Sequence, residues 1–250
     1  MKRLVPLGGL WVSPFADVIC YPRLTRKELC VRLGELERLG ITAVEFTGEK
    51  IVDGVRVLGK GCVGVVVKAY AGGGGVVALK VRRTDADRKE MKHEAEMLRA
   101  ANGVGVGPRF LGQSRDFLIM EYVRGRLLPD WLQRAENVEA VRRVLRSVLG
   151  QCFRLDACGL DHGELSHAPK HVIVRGGKPV IVDFESASTT RRVQNVTALA
   201  QYLFIAKNQA GLIQKKIGRI NQRRLKQALQ VYKAEKTRKN FDAVLRAAGL

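Results

Sequence analysis

The apolar positions of the chain switch between a helical and an alternating period in a definite order. Over 25–39, TRKELCVRLGELERL, Leu29, Leu33, Leu36 and Leu39 share one helical face, and Gly40 ends the run. ITAVEFTGEKIVDGVRVLG then reads as short strands around Thr-Gly and Asp-Gly turns. VGVVVKAY and VVALKVRR are β-branched strands joined by AGGGG, a hairpin. DADRKEMKHEAEMLRAA predicts a helix started by Thr84 or Asp85 and stopped at Asn102-Gly103. FLIMEYV is a further strand. A long amphipathic helix follows, with Val141, Val144, Leu145, Val148, Cys152 and Leu155 at helical spacing. HVIV and PVIVDF are two short strands around a Gly-Gly turn. NVTALAQYLFIA reads as a buried helix, and the last stretch keeps helical spacing at Ile217, Ile220, Leu225 and Leu229.

Strands come first and helices afterwards, which predicts an α+β chain with a small β-rich lobe and a reduced helical lobe. Residues 1–50 hold one helix and a hairpin, too little to fold alone, and are expected to pack as an appendage on the first lobe. That lobe is expected over 51–124, the helical lobe over 125–206 and a basic helical segment over 207–250.

Composition sharpens this in two places. The net charge is +20, from 44 basic and 24 acidic residues. Residues 207–250 carry twelve Lys/Arg against two Asp/Glu, half of that surplus. Such an end suits an anionic partner, RNA or a ribonucleoprotein ahead of a membrane surface, or simply a solvated helix face. No apolar run is long enough to span a bilayer. The first residues are basic and then apolar like a secretion signal, but Pro6, Pro14 and Asp17 interrupt them. Five cysteines without a CxxC pair point to reduced thiols in a cytoplasmic protein. Cys158, His162, His167 and His171 crowd one segment, yet Gly159, Gly163 and Pro169 break the helix that would make them ligands.

The chemistry is concentrated in the β-rich half and the strands after the long helix. GKGCVGVV matches G-x-G-x-x-G-x-V with Gly59, Gly61, Gly64 and Val66, around Lys60. Glycines there let backbone N–H groups approach phosphate oxygens. A strand rather than a helix follows, which disfavours a dinucleotide fold, and no G-K-[ST] follows for a Walker loop. Lys80, in VALK with Ala78, sits on the next strand, where an ammonium can neutralise phosphates. Its carboxylate partner is Glu94 or Glu96. Glu94 shares the apolar stripe of Met91, Leu98 and Ala101, where a carboxylate needs a cation, so Glu94 is the expected partner.

With MEYV, HGEL and VDFE added in the same order, residues 55–206 resemble the protein-kinase superfamily. HGEL is most similar to the HGDL of its small atypical branch, which holds the RIO kinases, the KEOPS-complex kinase and archaeal proteins predicted as serine/threonine kinases. The resemblance implies a two-lobed kinase-like fold and ATP and Mg²⁺ as cofactors. It implies Met120 as gatekeeper, the backbone of Glu121 and Val123 facing adenine, and Asp183 as the metal ligand. The phosphate acceptor would be an unidentified protein or the chain itself.

Three residues depart from the family pattern. Glu164 stands where a catalytic Asp is expected, keeping the carboxylate on a longer side chain. A displaced base of this kind slows transfer by ~10²-fold without abolishing it. The second metal ligand, an Asn in the family, falls on Pro169, or with a short insertion on Lys170 or His171. Lys170 cannot bind a cation, but its charge can offset triphosphate. Glu185 replaces the Gly of DFG, and no long activation segment precedes the helix near Asn195. The expectation is a slow atypical serine/threonine protein kinase, or an ATP-hydrolysing or nucleotide-binding pseudokinase switch acting on a ribonucleoprotein.

Overall fold

The computed structural model describes residues 3–87 and 90–250, and all of their side chains except those of 167–169, 207 and 208. Its backbone contacts divide the chain into two units, residues 1–96 with 109–122 and residues 97–108 with 123–250. The first is built on an antiparallel sheet and the second is mainly helical, as expected for the α+β class.

In the β-rich unit the elements are β1 (Arg3–Pro6), α1 (Phe15–Ile19), α2 (Arg26–Arg38), β2 (Ile41–Phe46), β3 (Lys50–Val52), β4 (Val55–Val57), β5 (Gly59–Lys60), β6 (Gly64–Ala71) and β7 (Val76–Arg82). Helix α3 (Lys92–Gly103) follows, then β8 (Phe110–Gln113) and β9 (Phe117–Glu121). The main sheet runs β1-β2-β6-β7-β9-β8, with β5 paired to β6 and the β3–β4 ribbon separate. The first fifty residues are therefore woven into this unit, because β1 and β2 are strands of its sheet. Successive side chains alternate across a strand. Val65, Val67 and Ala69 of β6 and Val77, Leu79 and Val81 of β7 face a core made with Phe15, Ile19, Leu29, Leu33 and Leu36. Val66, Ala78 and Lys80 consequently share the opposite face.

One sequence expectation changes here, and one burial is added. Helix α3 begins at Lys92 and not at Thr84 or Asp85. Thr84 spends its hydroxyl elsewhere, accepting from the Arg23 N–H and donating to the Cys20 carbonyl, while Asp85 pairs with Arg83. Neither side chain is left to cap a helix. The apolar face of α2 also carries Arg32, fully buried, which donates to the Ile19 and Arg82 carbonyls and to Asp116. The helical period places position 32 beside Leu29, Leu33 and Leu36, and its hydrogen bonds offset the cost of burying the guanidinium.

The helical unit contains β10 (Arg126–Leu127), α4 (Leu128–Arg134), α5 (Val138–Ala157), β11 (Val172–Arg175), β12 (Lys178–Ile181), α6 (Asn195–Phe204), α7 (Lys207–Ile217), α8 (Gln222–Ala234) and α9 (Arg238–Ala247). Strands β10, β11 and β12 form a small antiparallel sheet, and Gln151 of α5 donates to the Pro179 carbonyl beneath it. The basic segment is helical and packed in. Phe241 of α9 stacks on Phe153 of α5 at 4.6 Å, and the Tyr232 hydroxyl donates to Asp156 at 2.9 Å. Among the described residues no helix is long and apolar enough to cross a membrane.

Candidate functional site

In the β-rich unit, β5 and β6 are joined by a tight turn in which Gly61 N–H donates to the Gly64 carbonyl at 2.8 Å. Gly59 pairs with Val66, and Lys60, exposed, donates to the Tyr21 hydroxyl at 2.6 Å. Gly64 sits directly over β7. A Cβ added there would lie 2.9 Å from the Val81 carbonyl and 3.0 Å from Cγ of Lys80. The missing side chain thus lets the turn lie close to the stem of Lys80.

Lys80 is 3% exposed and Glu94 4%, so each needs the other. The Lys80 Nζ lies 2.9 Å from Oε1 and 2.8 Å from Oε2 of Glu94. Glu96 is exposed on the other side of α3. Val66 pairs with Lys80, and Ala78 with Met120, which puts these side chains on one face of the sheet. Met120 is buried, and the Glu121 N–H donates to the Arg109 carbonyl.

In the helical unit, the segment 160–171 is pinned from several sides. His162 N–H donates to Oδ1 of Asn195 at 2.8 Å, while Asn195 is itself held by Asp156 and the Leu160 carbonyl. Asp161 exchanges backbone hydrogen bonds with Ser188, and its carboxylate accepts from Arg191 and from Gln194 N–H. His162 is fully buried, with Nδ1 accepting from Glu164 N–H and Nε2 facing the Val182 carbonyl at 3.1 Å. Burial foremost, and then the neighbouring His171, push its pKa down to about 4, so the ring is neutral. Gly163 has φ +86°, and a Cβ there would strike Arg191 and the Ser186 carbonyl.

This scaffold presents Glu164, His171 and Asp183. Glu164 accepts from the Ser186 hydroxyl at Oε1, 3.0 Å, and its Oε2 lies 3.8 Å from Nε2 of His171. Nδ1 of His171 lies 3.6 Å from Oδ2 of Asp183. Asp183 has φ +70°, an unusual backbone state for a residue other than Gly, and its side chain is 40% exposed. Carboxylate oxygens of Asp183 and Glu185 come within 4.8 Å of each other. His171 directly precedes β11, whereas Lys170 is exposed at the end of the 3₁₀ turn Leu165–Lys170. The side chains of His167 and Pro169 lie outside the described residues.

Asp183 and Glu185 offer carboxylate oxygens of the kind that suits a dication. The doubted cluster of Cys158 with three histidines does not form on a helix, because α5 ends at Ala157 and His162 is spent on the Val182 carbonyl. Asn195, Ser186, Arg191 and Asp156 were not legible as site-forming residues. Each acts through a backbone group or a partner twenty or more residues away, which no short motif encodes.

No protein-family model and no curated protein matches the chain. Among solved structures, the chain is similar to the crystal structure of a Stt7 homolog from Micromonas algae soaked with ATP. The match has 22% identity and a TM-score of 0.44, over 52% of this chain and 48% of that one. The likeness thus spans about half of each protein, and no residue role is taken from it.

Proposed function

We propose that the chain is a slow, atypical phosphotransferase of the protein-kinase type, acting on Ser or Thr of a protein or on itself. The observation that carries this reading is the buried, two-pronged Lys80–Glu94 pair beneath a glycine turn. An ion pair at this depth is weak evidence for stability alone, and it fits a lysine held ready for phosphate oxygens. ATP with Mg²⁺ would supply the phosphoryl group and the charge that neutralises it. Gly59, Gly61 and Gly64 would admit phosphate to backbone N–H groups, with Lys60, Val66 and Ala78 around it. Met120 and the backbone of Glu121 and Val123 would border the base. Asp183 would hold the cation and Glu164 would take the acceptor hydroxyl's proton. Placement beside the RIO and KEOPS kinases rests on HGEL.

One observation favours a second reading, a nucleotide-binding or ATP-hydrolysing switch. Glu164 is already engaged by Ser186 and faces His171, as a structural carboxylate would be. In either reading the basic helices are the proposed contact for RNA or a ribonucleoprotein, since Lys215, Arg219, Arg223, Arg224 and Lys226 are exposed. The deciding experiment supplies radiolabelled ATP to the parent and to Glu164→Ala, scoring label on protein apart from free phosphate. Label on protein that is lost with Glu164 supports phosphotransfer. Phosphate release without protein label supports the switch. Neither signal in the parent overturns both.

A further inference from the structure

We propose that Tyr21, with Arg83, tethers the glycine turn to the N-terminal segment and so sets how strongly nucleotide phosphates bind there. The inference rests on the reading of that turn as the phosphate site and names the residues that position it.

The tether is itself anchored. Thr84 N–H donates to the Tyr21 carbonyl at 2.8 Å, and the Thr84 hydroxyl accepts from Arg23 N–H and donates to the Cys20 carbonyl. Residues 20–23 are thereby fastened to the chain just beyond β7. Held there, the Tyr21 hydroxyl accepts from Nζ of Lys60 at 2.6 Å, and the same ammonium lies 4.4 Å from the ring centroid. The Arg83 guanidinium approaches that ring at 5.1 Å. Both cations are within the distance, about 6 Å, at which an aromatic face attracts them. Lys60 stands between Gly59 and Gly61 in the glycine pattern, so Tyr21 holds one end of the turn.

Arg83 holds the other end. Asp85 binds its guanidinium through both carboxylate oxygens, at 2.8 and 2.7 Å, a fork that fixes its direction. Nη1 of Arg83 then donates to the Gly61 carbonyl at 3.3 Å, and Arg83 N–H donates to the Val63 carbonyl at 2.8 Å. These contacts orient two peptide planes. In a trans peptide the N–H points opposite to the C=O. With the Gly61 and Val63 carbonyls turned to Arg83, the N–H groups of Cys62 and Gly64 are directed away from it, free of that strand end, where phosphate oxygens can accept from them.

The energetic reason for a tether lies in the glycines. A turn rich in Gly has many backbone states, and a ligand that needs one of them binds more weakly by the fraction of time that state is absent. Restraint in advance removes that loss. The effect belongs to the phosphates alone, because the tether touches only the turn that would receive them.

The test uses the full chain without metal. Amide hydrogen exchange is followed at Gly61 and Arg83, whose N–H groups donate within the turn and its clamp, and calorimetry compares ATP with adenosine. Tyr21→Ala removes ring and hydroxyl; Tyr21→Phe keeps the ring against both cations and loses only the acceptor of Lys60. Exchange should accelerate by ~10-fold in Tyr21→Ala and by ~3-fold in Tyr21→Phe, and ATP should weaken by similar factors while adenosine binds as to the parent. Circular dichroism verifies each fold, and if Tyr21→Ala does not fold, Tyr21→Phe decides. Folded variants that exchange as the parent does overturn the proposal. So does an equal weakening of ATP and adenosine, which marks a merely structural role, or faster exchange with unchanged ATP affinity. A parent that binds no ATP defeats the phosphotransfer reading, and exchange alone then decides the tether. A parent that binds ATP, with variants that match it in both measurements, defeats the tether alone.

Discussion

Replacing Lys80 with Met removes the ammonium that both Glu94 carboxylate oxygens face. Both partners are almost wholly buried, at 3% and 4% exposure, and both carboxylate oxygens lie within 2.9 Å of Nζ. Removing one member of such a pair costs about 3–5 kcal/mol, because the survivor is left charged in a low dielectric. Replacing both by apolar residues of similar volume is close to neutral. Lys80→Met should therefore lower stability by about 3 kcal/mol or more, with the cost limited where Glu94 takes up a proton. Lys80→Met with Glu94→Leu should recover most of that loss. Urea unfolding of the parent, both single variants and the double variant closes the cycle, with an expected coupling of about 2–3 kcal/mol. ATP-dependent labelling should be absent in all three variants, including the stable double one. A Lys80→Met protein with the parent's urea midpoint would refute the reasoning, since the pair would then not be isolated from water.

Other perturbations address separate parts of the molecule. Asp183→Asn should weaken nucleotide binding in the presence of Mg²⁺ far more than in its absence; equal losses, read by a fluorescent ATP analogue, would remove Asp183 from the metal site. Glu164→Gln should slow protein labelling by at least ~10²-fold if the carboxylate accepts a proton in the transition state, and unchanged labelling would make it structural. His162 has a folded-state pKa near 4 against an ordinary 6.5, so the stability tied to its neutral form is complete above pH 6.5 and is lost as pH falls toward 4. Its contribution should reach about 3 kcal/mol, and a folded His162→Gln variant should show a correspondingly shallower acid limb in pH-dependent urea midpoints. Arg223→Glu, Arg224→Glu and Lys226→Glu together should weaken single-stranded RNA binding and reduce its salt slope by about 2, at roughly 0.7 per lost phosphate contact. An unchanged slope would leave these cations as a solvated surface.

The parts of the molecule written in local periods were legible. The β6–β7 hairpin follows from alternating Val residues around a glycine run, and α5 from Val141, Val144, Leu145 and Val148. The pairing of Lys80 with Glu94 was legible too, because a carboxylate on an apolar helical stripe has few alternatives. The start of α3 was misread because Thr84 looks like a cap until its hydroxyl is drawn to Cys20 and Arg23, sixty residues away. The partner of buried Arg32 is likewise out of reach of any short motif, because Asp116 lies 84 positions along the chain. His171 and Lys170 could not be separated in sequence. Only the register of β11 decides which of them turns toward Asp183.

The anchoring of Tyr232 changes how the protein can be taken apart. Composition alone makes the basic stretch look detachable, a charged trailer to be cut away when its nucleic-acid binding is tested. Yet the same helices that display the cations bury Leu225, Leu229, Tyr232, Phe241 and Val244. Cutting before Lys207 would strip Phe153 of its stacked ring and Asp156 of its hydroxyl donor. Asp156 also steadies Asn195, which holds the backbone of His162. A truncated protein that lost activity would thus report a disturbed interior and say nothing about RNA. The two roles share helices but occupy different faces, so they separate by surface charge reversal and not by shortening the chain.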